Sequence, residues 1–228
     1  MVLLSGEVWY NDLMAKYPIF LELTGRRAVV IGGGAVAVRK AQALLAAGAR
    51  LVVVAERVND VLTALCQGKN AELIRSKYSK DYLAGALLAI AATNNHQLNR
   101  RIYKDCQELE VLCNVVDEPE LCDFFVPAIV KRGDLQIAIG TDGHYPAYAG
   151  HIRKKLEEIF TDKHGQFLAE LETLRKQIIK DVPEPADRKT VLGRLADDKS
   201  FEYFIHNGPS QWRAFADELV SSLPPSRQ

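Results

Sequence analysis

The sequence is short of several things, and each shortage removes a class of protein. It carries no net charge, because 29 Lys and Arg are matched by 29 Asp and Glu over 228 residues. That balance argues against bulk electrostatic binding of nucleic acid or of a membrane surface, and leaves only a local patch open. Cysteine is sparse: Cys66, Cys106, Cys113 and Cys122 show no C-x-x-C spacing, so reduced thiols in the cytoplasm are expected and a disulfide framework is not. No apolar run approaches the length of a membrane span. The start, Met1-Val2-Leu3-Leu4-Ser5-Gly6-Glu7, is too short and too early acidic to read as a secretory signal. The histidines His96, His144, His151, His164 and His206 do not pair with cysteine or acid at metal-ligand spacing, so no stored metal is expected. There is no internal repeat. What remains is a chain of ordinary apolar content, long enough for one large domain or two small ones.

What is there centres on one stretch, Ala28-Val29-Val30-Ile31-Gly32-Gly33-Gly34-Ala35-Val36-Ala37. An apolar run ends in three glycines and an alanine-rich helical pattern follows at once. Gly32, Gly34 and Ala37 occupy the three small positions of G-x-G-x-x-G/A, the dinucleotide fingerprint. The first glycine permits the sharp turn, the second lets a pyrophosphate approach the backbone, and Ala37 lets helix and strand pack closely. The free N–H groups opening the helix would face the anion. The helix is predicted over 35–47, with Ala37, Ala41, Leu44 and Leu45 on one face and Gly48 as its C-terminal cap. A second strand over 50–55 ends at Glu56, about 20 residues past the glycines, where an acid accepts ribose hydroxyls. The plain alternative is a strand–helix–strand unit with a glycine turn and no nucleotide.

Further along, the pattern predicts a helix over 59–67 with Val61, Leu62 and Leu65 inward, a strand over 71–78, a helical turn at 81–83, and a strand over 86–92. That last run is continuously apolar, as suits a parallel strand buried on both faces. It ends in Thr93-Asn94-Asn95, and either asparagine is placed to cap the helix that runs to Glu108. A fifth strand over 111–116 ends at Asp117. The alternation predicts an open, mainly parallel sheet with helices on both faces, and it puts Gly32, Glu56, Thr93 and Asp117 at four strand carboxyl ends, where such sheets bind ligands. A hairpin follows, with strands over 126–130 and 135–139 around Arg132-Gly133-Asp134. After a glycine-rich loop over 140–146, a helix over 147–160 is expected. Phe167, Leu168, Leu171 and Leu174 form one helical face. Pro183, Pro185 and Asp187 mark a break before a further helix led by Val191, Leu192 and Leu195. Asn207-Gly208-Pro209-Ser210 is expected as a turn, with Ser210 as the N-cap of a last helix over 211–219, and residues 221–228 as a frayed tail. The hairpin is not needed to complete a nucleotide domain, and pairing with a second copy would explain it, so a dimer is expected.

Taken together, Tyr17-Pro18-Ile19-Phe20-Leu21, the glycine stretch through Arg39-Lys40, Ala91-Ala92-Thr93, Cys113-Asn114-Val115-Val116-Asp117 and Phe125-Val126-Pro127-Ala128 resemble one family in order and spacing. That family is precorrin-2 dehydrogenase, the NAD-dependent module of siroheme synthase. The resemblance covers about residues 17–160 and, more weakly, the helical remainder. It implies an α/β protein with a Rossmann-type NAD-binding domain (1–117), a dimerisation region (118–160) and a small helical C-terminal domain (161–228), assembled as a homodimer. It implies oxidation of precorrin-2 to sirohydrochlorin with NAD taking the hydride, and in some members insertion of Fe(II). It places NAD contacts at Ala35, Val36, Glu56 and Arg57, and the essential aspartate at Asp117. The loop departs from the family's Ser/Thr-Gly-Gly-x-Ser-Pro: Thr141-Asp142-Gly143-His144-Tyr145-Pro146 keeps the threonine, one glycine and the proline. The arginine usual four residues after that proline is Gly150, and Arg153 is the candidate substitute.

The chemistry fits these positions. Dehydrogenation removes a hydride and a proton, and the proton needs a base, for which Asp117 at a strand end is well placed; the bland alternative is a turn cap before Pro119. The substrate's many carboxylates call for cationic partners, among which Lys131, Arg132, Arg153, Lys154 and Lys155 are candidates. His144 is the histidine to test as an acid or base, and Thr141, His144 and Arg153 make up the candidate substrate set. Glu56 favours NAD, while adjacent Arg57 leaves NADP open. Against the dehydrogenase stand a bifunctional dehydrogenase–ferrochelatase and a non-catalytic NAD-sensing module.

Overall fold

A computed structural model describes residues 16–222. The expectations for the first seven residues and for the end of the frayed tail lie outside the described residues. The chain divides into two compact units, one through Val126 and one from Pro127.

The first unit is a five-stranded parallel sheet, β1 (Arg27–Ile31), β2 (Arg50–Val54), β3 (Ala71–Ile74), β4 (Leu88–Ala91) and β5 (Leu112–Val115), in the order β3-β2-β1-β4-β5. The central strands carry almost no polar side chain because both of their faces are covered. Ala28, Val30, Leu51, Val53, Leu88 and Ile90 point into one core with α1 (Ala35–Ala46) and α2 (Asp60–Leu65). Val29, Ile31, Val52, Val54, Ala89 and Ala91 point into the other, with Ile102 and Cys106 of α3 (His96–Glu108). Strand period two thus feeds two cores at once. The chain leaves β1 for β2 and β3, then crosses back to β4, which creates a switch point at the carboxyl ends of β1 and β4; in such sheets ligands bind there.

The helix ends follow their sequence signals. Gly48 takes φ 79°, and its N–H and that of Ala49 close α1 by donating to Leu45 and Leu44 carbonyls. Asn59 caps α2 through Val61 N–H at 2.8 Å, and of the two candidate asparagines it is Asn95 that caps α3, through Leu98 N–H at 3.0 Å. Two first-unit expectations change. Val61 is 54% exposed, because a helix of one and a half turns buries Leu62 without presenting a broad apolar face. The third strand stops at Ile74, since its partner β2 ends at Val54, and residues 75–78 become a loop.

The second unit opens with an antiparallel hairpin, β6 (Ala128–Arg132) and β7 (Leu135–Ile139), followed by α4 (Pro146–Ile159), α5 (Asp162–Asp181), α6 (Pro185–Leu195) and α7 (Asp198–Ser221). The first hairpin strand starts two residues later than expected: Pro127 has no N–H for the ladder, and pairing begins with Ala128 opposite Ile139. Arg132 closes the hairpin and caps α4, donating from Nε to Phe160 O at 2.7 Å and from a terminal nitrogen to Glu157 O at 3.2 Å. A cation at a helix C-terminus is electrostatically favourable, so Arg132 is structural and leaves the candidates for substrate carboxylates. The break expected from Pro183 to Asp187 is found but narrower, over 182–184, and Pro185 sits in the first turn of α6, where its missing N–H costs nothing. The interruption expected at 207–210 is present, as a kink where two helical stretches meet within α7: Gly208 takes φ 80° and ψ 172°, Pro209 follows it, and Ser210 is already helical rather than an N-cap.

Helices α5, α6 and α7 close on Phe167, Leu174, Ile178, Leu195, Phe204 and Trp212. Trp212 is fully buried, with Nε1 donating to Ser200 Oγ at 2.8 Å and Phe167 and Phe204 edge-on to its rings. Trp212→Ala is expected to destabilise this unit by about 3–5 kcal/mol through cavity formation, read as a lower urea midpoint by circular dichroism. Among the described residues no helix is long and apolar enough to cross a membrane.

Candidate functional site

The three glycines of the turn are needed for different reasons. At Gly32, with φ 130°, a Cβ would lie 2.2 Å from Ala92 O. At Gly33 it would lie 1.9 Å from Arg57 O, and Asn59 N–H donates to Gly33 O at 2.9 Å. These two positions are fixed by backbone packed against backbone. Gly34 has an ordinary extended backbone, φ −88° and ψ −174°, and a Cβ there would meet nothing within 4 Å. Its open side faces a cleft of about 600 Å³ lined by Gly32, Gly33, Gly34, Glu56, Arg57 and Thr93 among others. No side chain caps α1, so its first N–H groups have no intrahelical or capping partner. This cradle fits a dinucleotide: a bare backbone approach, unpartnered N–H groups at a helix start, and a carboxylate at the end of the next strand.

Strand ends align around this cleft. Gly32 N–H donates to Val54 O at 2.9 Å, Ala92 N–H to Ile31 O at 2.8 Å and Val116 N–H to Ala91 O at 3.0 Å. The last bond sets the turn carrying Asp117 beside the point where β4 runs into Ala92 and Thr93. Asp117 itself is exposed, takes φ 64°, and stands outside the cleft lining, as do Ala35 and Val36 at the start of α1. A left-handed backbone at a non-glycine residue is uncommon and is best tolerated by Asn and Asp.

The Thr93 hydroxyl is already engaged. It donates to Asn99 Oδ1 at 2.6 Å, and Asn99 Nδ2 donates back to Thr93 O at 3.2 Å. Thr93 thus lines the cleft with its hydroxyl and carbonyl both held by Asn99. Asn99 and Glu118 are two of the few polar residues buried in the first unit. Glu118 lies next to Asp117 and receives His96 Nδ1 at 2.9 Å, with Arg100 Nε at 3.8 Å. The His96 hydrogen bond holds the Glu118 carboxyl below the usual range, against the opposing effect of burial.

Sequence reasoning missed several residues here. Ser76, Lys77 and Tyr78, placed in a strand by their apolar neighbours, line the cleft from the loop after β3. Tyr82 OH donates to Ser76 Oγ at 3.2 Å and Tyr78 OH to Asp105 Oδ2 at 2.9 Å; burial, then the Asp105 bond, push the Tyr78 phenol up. Lys40 of α1 is half-buried, and burial and then Arg39 lower its ammonium pKa, against the opposing charge of Asp117. Gly33 had no assigned role, and only its contact with the Arg57 carbonyl reveals one.

Thr141, His144 and Arg153 belong to the second unit. His144 N–H donates to Thr141 O at 2.9 Å in a tight turn where Asp142 and Gly143 take φ 53° and 82°. The imidazole is exposed, 3.9 Å from Asp142 Oδ2. Arg153 is paired with Glu157 one turn along α4.

The first unit, with a glycine turn at the switch point of a parallel sheet and an acid ending the neighbouring strand, is an NAD(P)-binding Rossmann domain. Residues 19–128 match the family model described as "Putative NAD(P)-binding". The chain is 40% identical over 212 residues to a siroheme synthase of Pseudomonas fluorescens, covering 93% of this chain and 46% of that protein. It is 35% identical over 214 residues to a siroheme synthase of Psychrobacter arcticus, covering 92% of this chain and 39% of that one. A solved structure titled "SirC, precorrin-2 dehydrogenase" superposes with TM-score 0.77 at 24% identity, over 89% of this chain and all of that one, a likeness of fold. The chain is similar to these proteins over most of its own length and spans less than half the length of the curated siroheme synthases it matches.

Proposed function

We propose that this protein oxidises precorrin-2 to sirohydrochlorin in siroheme formation, with NAD as the cofactor. The observation that carries the reading is the pairing, in one unit, of an open glycine cradle with an unusual left-handed aspartate at the end of the strand next to the cleft. Gly34 and the N–H groups of Ala35 and Val36 would hold the pyrophosphate, and Glu56 the ribose hydroxyls, with Arg57 beside it. NAD, when bound, supplies a hydride acceptor. Asp117 takes the proton that leaves the tetrapyrrole, and the cleft walls hold the reactants and exclude water. Thr141, His144 and Arg153 are the proposed contacts for substrate carboxylates.

The proposal includes a homodimer through the hairpin. Ile129 and Ala138 are paired across it and both exposed, and a two-stranded sheet is marginal by itself. Four free thiols fit a cytoplasmic setting. The test is NADH formation from NAD and enzymatically generated precorrin-2 under anaerobic conditions. In that assay Glu56→Ala is expected to raise KM for NAD about tenfold to a hundredfold, the worth of a charged hydrogen bond, while KM for NADP stays level or falls. An unchanged NAD preference would remove Glu56 from the site.

A further inference from the structure

Asp117 is an exposed side chain on a left-handed residue, and such a group needs something to hold it. The turn that carries it is short: Glu118 N–H donates to Val115 O at 3.3 Å, and Leu121 N–H and Cys122 Sγ donate to Glu118 O. These bonds close the turn on itself but do not tie it to the cleft. The Glu118 side chain does. It is buried, turned away from solvent toward the first turn of α3, where it accepts from His96 Nδ1 at 2.9 Å. Asn99 lies on the next turn of the same helix. Asn99 exchanges two hydrogen bonds with Thr93, which lines the cleft.

We propose that Glu118 is a positioning residue for Asp117: through its bond to His96 it locks the Asp117 turn to the first turn of α3, and the Asn99–Thr93 pair on the next turn ties that helix to the cofactor cleft. The inference rests on the reading of Asp117 as the base. A carboxylate suits the place chemically. It accepts from His96 with the Arg100 guanidinium 3.8 Å away, and its charge lies at the N-terminus of α3, where negative charge is favourable. The positioning is geometric. Glutamine keeps the contact, its oxygen accepting from His96 Nδ1. Alanine does not.

The experiment compares Glu118→Ala and Glu118→Gln, each alone and in an Asp117→Asn background. Glu118→Ala is expected to lower kcat for precorrin-2 oxidation about 10- to 100-fold, the scale of a misplaced catalytic group, with NAD affinity unchanged. Glu118→Gln restores most of kcat. In the Asp117→Asn background Glu118→Ala causes no further loss, because the two act as a unit. In the cofactor-free protein, amide exchange at residue 118 quickens in Glu118→Ala and not in Glu118→Gln. Wild-type kcat and exchange in Glu118→Ala, or an equal loss with and without the Asp117 carboxylate, overturns the proposal. If Glu118→Ala does not fold, His96→Ala replaces it, removing an exposed donor, and an unchanged kcat there overturns it equally. The reading of the base fails separately: Asp117→Asn would then turn over like the wild type.

Discussion

On the proposed function, Asp117→Asn is expected to lower kcat for precorrin-2 oxidation about 10²–10⁴-fold, the usual contribution of a general base, and to leave NAD affinity and the unfolding midpoint where they were. Asparagine is the right probe because of the backbone. Residue 117 takes φ 64°, which Asn tolerates nearly as well as Asp, whereas alanine would add strain to the loss of the carboxylate. The side chain is exposed and outside the cleft lining, so neither the fold nor the cofactor depends on it. A kinetic loss without a binding loss marks an interaction made in the transition state. A fall in NAD affinity of similar size would instead make Asp117 a cofactor ligand.

Gly33→Ala and Gly34→Ala are expected to separate folding from binding at neighbouring positions. A Cβ at Gly33 would sit 1.9 Å from the Arg57 carbonyl oxygen. Neither side is a flexible side chain, so the glycine turn or the loop after β2 must move, at a cost of about 3 kcal/mol or more. That lowers the urea midpoint of the cofactor-free protein by roughly 1 M and weakens NAD with it, since Glu56 and Arg57 shift together. A Cβ at Gly34 would meet nothing within 4 Å, on a backbone any residue adopts. Gly34→Ala therefore leaves cofactor-free stability within about 0.5 kcal/mol and weakens NAD binding alone, because the methyl occupies the side from which the pyrophosphate approaches. Isothermal titration with NAD, set against urea unfolding, reads both effects. Equal NAD affinity in Gly34→Ala and wild type would remove the pyrophosphate from this turn.

The parallel sheet was legible because its signals are local. Residues 28–31 and 88–91 are continuous apolar runs, and in the structure alternate side chains of each run enter opposite cores. Gly48 and Asn95 are caps whose side chain or φ is decided within a few residues of the helix end. Where the reading erred, the cause was a partner elsewhere in the chain or a missing donor. Residues 75–78 leave the sheet because β2 has ended, and β6 starts late because Pro127 cannot join the ladder. Arg132 looked like a surface cation, yet it caps a helix 28 residues away. At the candidate site, Gly32, Gly34, Glu56, Arg57 and Thr93 were placed at strand ends by their own sequence and do line one cleft. Glu118 was not legible: its contact with His96 spans 22 residues, and no spacing rule links the residue after one strand to the first turn of the helix before it.

One measurement bears most directly on the account. The protein is mixed with limiting precorrin-2 and excess NAD without oxygen, and the visible spectrum of the tetrapyrrole is followed together with NADH absorbance. The account predicts conversion to the sirohydrochlorin spectrum with one NADH formed per precorrin-2, and neither change with Asp117→Asn. Fe(II) added afterwards tells whether chelation follows. NAD binding with an unchanged precorrin-2 spectrum would contradict the account and leave a nucleotide-sensing module in its place.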